Sequence, residues 1–339
     1  MGDEDVRGVS GPVFVSAEAV TQSVDLPNVI AALRRTYEAQ PPTSGGAGRT
    51  VARGTSGARV RALAAVLPDG EILGTKVHVQ PTAAGSRYLI SLFSQGDGAL
   101  LALLDGQAIT ELRTGATSAL ALDALAPQGA LDIAVLGSGT EARSHLRAIA
   151  ALRPLHHVAV FSPTPERREL FAAEMAAELS VEISACSTAE EAVGRASTVL
   201  AAARSHGEVP IFKPDALNGA TTVVSVGSTL PEQRELHESV LARAALIVAD
   251  EPRELLEQSG DCIAAAAAGI ELAGKAYSLA QLIQQALPVP IDHAGINVFK
   301  SVGSALQDVA VASLIFQTAT AAGRFTPLPI LLSSKEKRG

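Results

Sequence analysis

Residues 131–150, LDIAVLGSGTEARSHLRAIA, constrain this chain more than any other stretch, because an apolar run breaks at a glycine turn and resumes as a helix. Ile133, Ala134, Val135 and Leu136 suit a strand buried on both faces. Gly137 and Gly139 permit a tight turn whose backbone N–H groups can meet a pyrophosphate, and Ala142 takes the third small position. A G-x-G-x-x-A spacing alone arises often by chance, so the strand before it and the helix after it carry the weight. The stretch predicts a dinucleotide cofactor touching Gly137, Ser138, Gly139, Thr140, Glu141 and Ala142.

Single cores stop growing at roughly 250–300 residues, so 339 residues predict two domains. Two cysteines, Cys186 and Cys262, cannot build a disulfide framework and lack metal-ligand spacing; both read as core residues in a reducing cytoplasm, and no metal site is expected. The acidic N-terminus MGDEDVRGVSGPVFV has neither the basic start nor the apolar stretch of a secretion signal, which predicts a cytoplasmic protein. Apolar stretches such as 263–270 fall short of the about 20 residues that cross a bilayer. A net charge of −8 with 3% aromatic residues excludes the phosphate-tracking and base-stacking patterns of nucleic-acid binding and points to a small-molecule ligand.

Val29, Ile30, Leu33 and Tyr37 recur at helical spacing in a helix-pair region over 16–40, which Pro41 and Pro42 end. The glycine-rich, basic segment from Thr43 reads as a loop leading into an apolar strand at 63–67. Further strands at 74–80, 88–93 and 100–104, with turns at 68–70, 96–98 and 105–106, predict a mostly antiparallel sheet. From Ile133 onward strands at 157–161, 181–184, 198–202, 223–226 and 246–249 alternate with helical segments, notably 165–179, the signature of a parallel sheet with crossover helices. The small-residue-rich apolar stretch 302–322 predicts a buried helix that returns the chain to the first domain.

In dinucleotide folds an acidic residue ending the second strand grips the ribose 2′-hydroxyl. Ser162 stands there, and the run FSPTPERR supplies hydroxyls from Ser162 and Thr164, a helix start, and the guanidinium groups of Arg167 and Arg168. Those groups suit a 2′-phosphate, so NADPH is expected, with NADH possible. A solvated first helical turn accounts for either arginine alone nearly as well.

Four stretches extend the pattern: GTK at 74–76, ELRTGATSALALDALA before the glycine turn, VGSTLPEQREL after the fourth strand of the alternating region, and NVFKSVGSALQDVAVA near the end. Together they resemble the ornithine cyclodeaminase/μ-crystallin family over nearly the whole chain. The resemblance implies an α/β fold, with a Rossmann-type doubly wound parallel-sheet domain over 124–302. A discontinuous α/β substrate-binding and dimerisation domain over 1–123 and 303–339 would accompany it, with the substrate pocket between the two and a homodimer as the assembly. It places Arg49, Lys76 and Arg113 at the substrate carboxylate, and adds Thr117 and Gly227 to the cofactor contacts. A bidentate arginine fixes geometry as well as charge, which is what holding a small α-carboxylate requires. Arg113 matches best; Arg53, Arg59 and Arg61 compete with Arg49. His78 shares a strand face with Lys76 and reads as a hydrogen-bonded structural residue more readily than a pocket residue. Asp308 has two readings, an internal pair or an active-site face.

One departure redirects the chemistry. Ornithine cyclodeaminases carry an aspartate just after the glycine of the VGST stretch, and here Ser228 and Thr229 follow Gly227. Neither hydroxyl is a general base near neutral pH, which disfavours cyclodeamination. Reducing an imine asks less, because a cyclic ketimine can arrive protonated. The reading is therefore NAD(P)H-dependent reduction of a cyclic ketimine acid, Δ1-pyrroline-2-carboxylate to L-proline or Δ1-piperideine-2-carboxylate to L-pipecolate. Lys76, Ser228 and Thr229 would be its catalytic residues, in a pocket where no carboxylate stands ready to take a proton. The resemblance also admits an ornithine cyclodeaminase, an alanine or opine-type dehydrogenase, and a μ-crystallin-like cofactor-regulated binding protein.

Overall fold

A computed structural model describes residues 11–41, 47–203, 209–217, 222–292, 294–330 and 332–333. The acidic residues 1–10 and the start of the glycine-rich segment, 43–46, lie outside the described residues. The first elements are β1 (Val13–Val15), α1 (Ala17–Ser23), α2 (Leu26–Ala39), β2 (Ala47–Arg53), β3 (Arg59–Val66), β4 (Ile72–Gln80), β5 (Arg87–Ser94), β6 (Leu100–Asp105) and α3 (Gly106–Leu125). Strand–helix alternation comes next in β7 (Leu131–Leu136), α4 (Thr140–Leu152), β8 (Leu155–Phe161), α5 (Pro165–Leu179), β9 (Glu182–Ala185), α6 (Ala189–Val193), β10 (Thr198–Ala201) and β11 (Thr222–Ser225). The remainder is α7 (Glu238–Arg243), β12 (Ala244–Ala249), α8 (Pro252–Gln258), α9 (Gly260–Ala267), β13 (Ala276–Ser278), α10 (Leu279–Ile283), β14 (Ile296–Lys300), α11 (Ala305–Ala321) and β15 (Thr326–Pro327).

The chain divides into two compact units, one of residues 1–40, 44–113 and 305–339, the other of 41–43 and 114–304. The first contains a seven-stranded sheet in the order β15-β1-β6-β5-β4-β3-β2, antiparallel except where β1 pairs with β6. Ser16 and Asp25 cap α1 and α2 through bonds from the Ala19 and Asn28 amides, and α2 buries Val29, Ile30, Leu33 and Tyr37. Along β4 burial alternates, which sends Gly74, Lys76 and His78 to the inner face. Gly74 sets how near a helix can come to that face. A Cβ there would fall 2.6 Å from the Ser91 carbonyl oxygen and 3.1 Å from Val309, so only glycine lets α11 lie this close to β4.

Two expectations fail in this unit. The segment read as a loop contains β2, which among the described strands pairs with β3 alone at the sheet edge; its basic, glycine-bearing sequence is edge chemistry that hides the apolar alternation. Nor does Asp105-Gly106 form a free turn: α3 starts at Gly106, with the Asp105 carboxylate accepting from the Gln107 amide.

The second unit holds an eight-stranded, wholly parallel sheet in the order β13-β12-β14-β11-β10-β7-β8-β9. From β7 the chain runs outward to β8 and β9, then crosses back over β7 to β10, so a topological switch lies between β7 and β10. The Rossmann-type alternation predicted from Ile133 is present, and Cys186 and Cys262 are buried in the core. The strand β14 was not expected from INVFK. All five of its residues are buried between β11 and β12, so no alternation marks it. No helix among the described residues is long and apolar enough to cross a membrane.

Candidate active site

In the first unit a buried ionic cluster joins three elements. Lys76 Nζ on β4 donates to Asp308 Oδ1 on α11 over 2.8 Å, and Arg113 Nε on α3 donates to the same oxygen over 3.0 Å. Arg113 Nη1 donates to Gln307 Oε1 (2.8 Å), and Gln307 Nε2 donates in turn to the Tyr37 hydroxyl on α2 (2.8 Å). Lys76, Arg113 and Asp308 are 4%, 8% and 1% exposed, so these charges are desolvated. Burial pulls the Lys76 ammonium from its usual 10.5 down to about 8, with Asp308 offsetting part of the cost. Asp308 Oδ2 is buried and has no hydrogen-bond partner. Two cations and one carboxylate leave one net positive charge.

A carboxylate stands inside the expected cationic cradle. Asp308 takes the internal-pair reading, and its partners are the two residues predicted to hold substrate. Gly74 explains how this is possible, since it brings the first turn of α11 down onto the Lys76 face of β4.

His78 sits two residues along, stacked on Tyr88 with ring centroids 4.4 Å apart, and Lys76 Nζ lies 5.1 Å from the Tyr88 ring centroid. His78 Nδ1 accepts from Arg61 Nε (3.0 Å) and Nη2 (2.7 Å). Because arginine only donates, the imidazole carries its proton on Nε2. Burial, then the charges of Arg61, Lys76 and Arg59, push its pKa down to about 4, so it is neutral at pH 7. Arg49 is half-buried on β2. A bulge between Ala47 and Thr50 sets that part of β2 against Leu63, the residue that pairs with Lys76 on β4.

In the second unit Gly137 adopts φ +123°, a conformation that favours glycine, and a Cβ there would fall 2.7 Å from the Ala202 carbonyl oxygen. Gly139 is the N-cap of α4 with no side-chain cap, and open space surrounds its Cβ position, so the amides of the first turn are accessible to an anion. Thr140 and Glu141 are exposed in that turn, and Ala142 is buried beneath it. Ser138 Oγ donates to Ser162 Oγ over 3.0 Å, tying the turn to the end of β8. Thr164 is the N-cap of α5, again without a side-chain cap bond. Arg167 is exposed, whereas Arg168 Nη1 donates to the Ser162 carbonyl. Thr117 is buried on α3 with an unpartnered hydroxyl. These residues fit a dinucleotide: a glycine turn, an uncapped helix start, and hydroxyls where an acidic residue would stand.

Ser228 Oγ donates to the Gln233 carbonyl (2.8 Å), which uses its proton, while the Thr229 amide donates to Gln233 Oε1 (3.1 Å). Beneath this loop lies a charged network that sequence reasoning missed, Glu235, Lys300 and Asp261, each 0% exposed. Its signal was legible in INVFK, where a lysine ends a mostly apolar run. Gln307 and Tyr37 were also missed, the latter because helical spacing assigns it to the core.

A parallel-sheet unit with a switch-point glycine turn, together with a unit that holds a buried Lys–Arg–Asp cluster, defines a two-unit protein of the dinucleotide-binding class. The chain belongs to the ornithine cyclodeaminase/mu-crystallin family, whose model matches residues 69–323. It is 28% identical over 322 residues to the ketimine reductase mu-crystallin of Mus musculus, covering 91% of this chain and 97% of that protein. It is 27% identical over 259 residues to a Delta(1)-pyrroline-2-carboxylate reductase of Bacillus cereus, 76% of each chain. The solved Delta(1)-pyrroline-2-carboxylate reductase of Thermococcus litoralis, in complex with NADH and L-proline, superimposes with a TM-score of 0.85 at 26% identity, covering 93% of this chain and all of that one.

Proposed function

We propose that the chain is an NAD(P)H-dependent ketimine reductase acting on a cyclic α-imino acid, Δ1-pyrroline-2-carboxylate giving L-proline, with Δ1-piperideine-2-carboxylate giving L-pipecolate as a second substrate. The carrying observation is the buried Lys76–Arg113–Asp308 cluster, whose two cations share one carboxylate oxygen and so keep positive charge for a small acid. The names of the relatives support imine reduction and NAD(P)H as the reductant.

In this mechanism Arg113 and Lys76 take the substrate carboxylate, with Arg49 closing the anchor from β2. Asp308 and Gln307 hold the Arg113 guanidinium at a fixed angle, so that the anchor orients the ring as well as binding it. Ser228, whose proton is committed to the Gln233 carbonyl, can only accept, which suits the N–H of a protonated imine; Thr229 lies beside it. A reduced nicotinamide, when bound, would supply the hydride that the imine carbon takes up. Gly137, Ser138, Gly139, Thr140, Glu141, Ala142, Thr117 and Gly227 would hold it, with Ser162, Thr164 and Arg167 toward the adenosine ribose. Their chemistry favours NADPH over NADH. Asp308 serves here as the common partner of the two cations through Oδ1, not as a base for deamination.

The deciding assay is NADPH and NADH consumption with the five- and six-membered imines, beside ammonia release from ornithine. Turnover of an imine with faster NADPH oxidation is expected; ornithine deamination without imine reduction would overturn the reading. The same preparation should sediment as a homodimer, since β3, β4 and β5 expose Val60, Val66, Val79 and Leu89 on the sheet face opposite Lys76.

Lys76 also gives the reading a pH signature. Its ammonium is charged below about pH 8 and neutral above it, so the anchor loses one positive charge as pH rises. Pyrrole-2-carboxylate keeps its own carboxylate ionised throughout that range. Its affinity, measured by calorimetry, should therefore weaken between pH 7 and 9, and a flat profile would remove Lys76 from the anchor.

A further inference from the structure

Glu235 is not among the residues assigned to substrate or cofactor, yet its carboxylate bridges two loops of the second unit. Oε1 accepts from the Ala203 amide (3.0 Å), and Oε2 accepts from the Gly227 amide (3.0 Å) and from Ser225 Oγ (2.6 Å). Ala203 follows β10 and Gly227 follows β11, so both amides lie at the carboxyl ends of neighbouring parallel strands. The bridge extends to the glycine turn by packing. A Cβ on Gly137 would fall 3.2 Å from the Ala203 Cβ, and one on Gly227 would fall 2.6 Å from the Ala203 carbonyl oxygen. Gly137, Ala203 and Gly227 thus form one continuous backbone rim, across the switch between β7 and β10 where open α/β sheets take their ligands.

The carboxylate is itself held in place. Lys300 Nζ lies 2.9 Å from Asp261 Oδ2 and donates to Ser225 Oγ (2.8 Å) and to the Ser228 carbonyl (3.1 Å). Asp261 Oδ1 accepts from the Glu235 and Leu236 amides. A wholly buried carboxylate, held by a buried lysine and by backbone and hydroxyl donors, is a costly way to fill a core that an apolar residue would fill as well. What an apolar residue would lack is the means to fix two loop amides at once.

We infer that Glu235 is a positioning residue for the dinucleotide: it locks the Ala203 and Gly227 amides so that the rim beside Gly137 is preformed for the nicotinamide half of the cofactor. The inference rests on the cofactor reading above. Burial drives the carboxyl up to about 7, with Lys300 and Ser225 opposing.

Direct titration with NADPH alone, followed by reduced-nicotinamide fluorescence, tests this without any imine, and thermal melts report stability separately. Glu235→Asp keeps the charge beside Lys300 but is one methylene too short to reach both amides. Glu235→Gln keeps the length but presents an NH2 to one of the donors. Each should raise the NADPH Kd about tenfold or more, the effect of one or two lost charge-assisted hydrogen bonds. Ser225→Ala leaves both amide bonds intact, so it should lower the melting temperature while its Kd stays within about twofold of wild type. Glu235→Asp binding as tightly as wild type would overturn the inference alone, and so would Ser225→Ala weakening the cofactor as much as Glu235→Asp does. Wild-type protein that binds neither NADPH nor NADH would overturn the cofactor reading and this inference with it.

Discussion

Replacing Asp308 with alanine should cost about 3–5 kcal/mol of stability, among the largest losses any single substitution in this chain produces. The reason is the company it keeps. Lys76 and Arg113 are buried, both lean on Oδ1, and removing the carboxylate strands two desolvated cations side by side. Neither is exposed enough for solvent to screen the repulsion. Lys76 can escape by shedding its proton, which its pKa of about 8 makes easy; Arg113 cannot, because a guanidinium does not deprotonate in a protein. Asp308→Asn keeps an oxygen acceptor and should therefore lose less. Urea unfolding followed by circular dichroism ranks the two variants. A loss below about 1 kcal/mol for Asp308→Ala, the scale of a surface ion pair, would mean that the cluster is not a structural unit.

How legible each element is in the sequence depends on its physics. A strand buried on both faces, broken by glycines and continued as a helix, announces itself, and β7, α4 and the alternation after them lie where Ile133–Ala142 and the later apolar runs place them. An edge strand announces little, so β2 reads as loop: its pairing is backbone chemistry that basic residues tolerate. The Lys76–Asp308 contact spans 232 positions and depends on a glycine, Gly74, whose meaning appears only when α11 lies against it. Local pattern tells that Asp308 is a carboxylate among apolar residues and stops there. Glu235 is harder still, since PEQREL has the polarity of an exposed loop, and only the three-dimensional pairing of backbone donors at Ala203 and Gly227 shows why a charge is buried there.

Pairing donors with acceptors in the same way fixes what should happen when the anchor itself is cut. Among the described residues Arg113 commits Nε to Asp308 and Nη1 to Gln307, which leaves Nη2 to meet a substrate oxygen in an orientation already set. Arg113→Ala removes that contact and the guanidinium plane that orients the ring. A charge-assisted hydrogen bond contributes about 1.5–3 kcal/mol, so kcat/KM for the ketimine should fall by about tenfold to somewhat over a hundredfold. Arg113→Lys restores charge but not the planar fork, and should recover only part of the loss. The split between parameters is informative. If the anchor only binds, KM rises with kcat unchanged, whereas loss of orientation lowers kcat as well. Because Gln307 and Asp308 hold the guanidinium from two sides, the fall should appear in both. NADPH affinity, measured directly, should stay at the wild-type value in either variant, since the glycine turn belongs to the other unit. An Arg113→Ala enzyme that turns over the imine at the wild-type rate would place the carboxylate elsewhere and leave the Lys76–Asp308–Arg113 cluster a purely structural one.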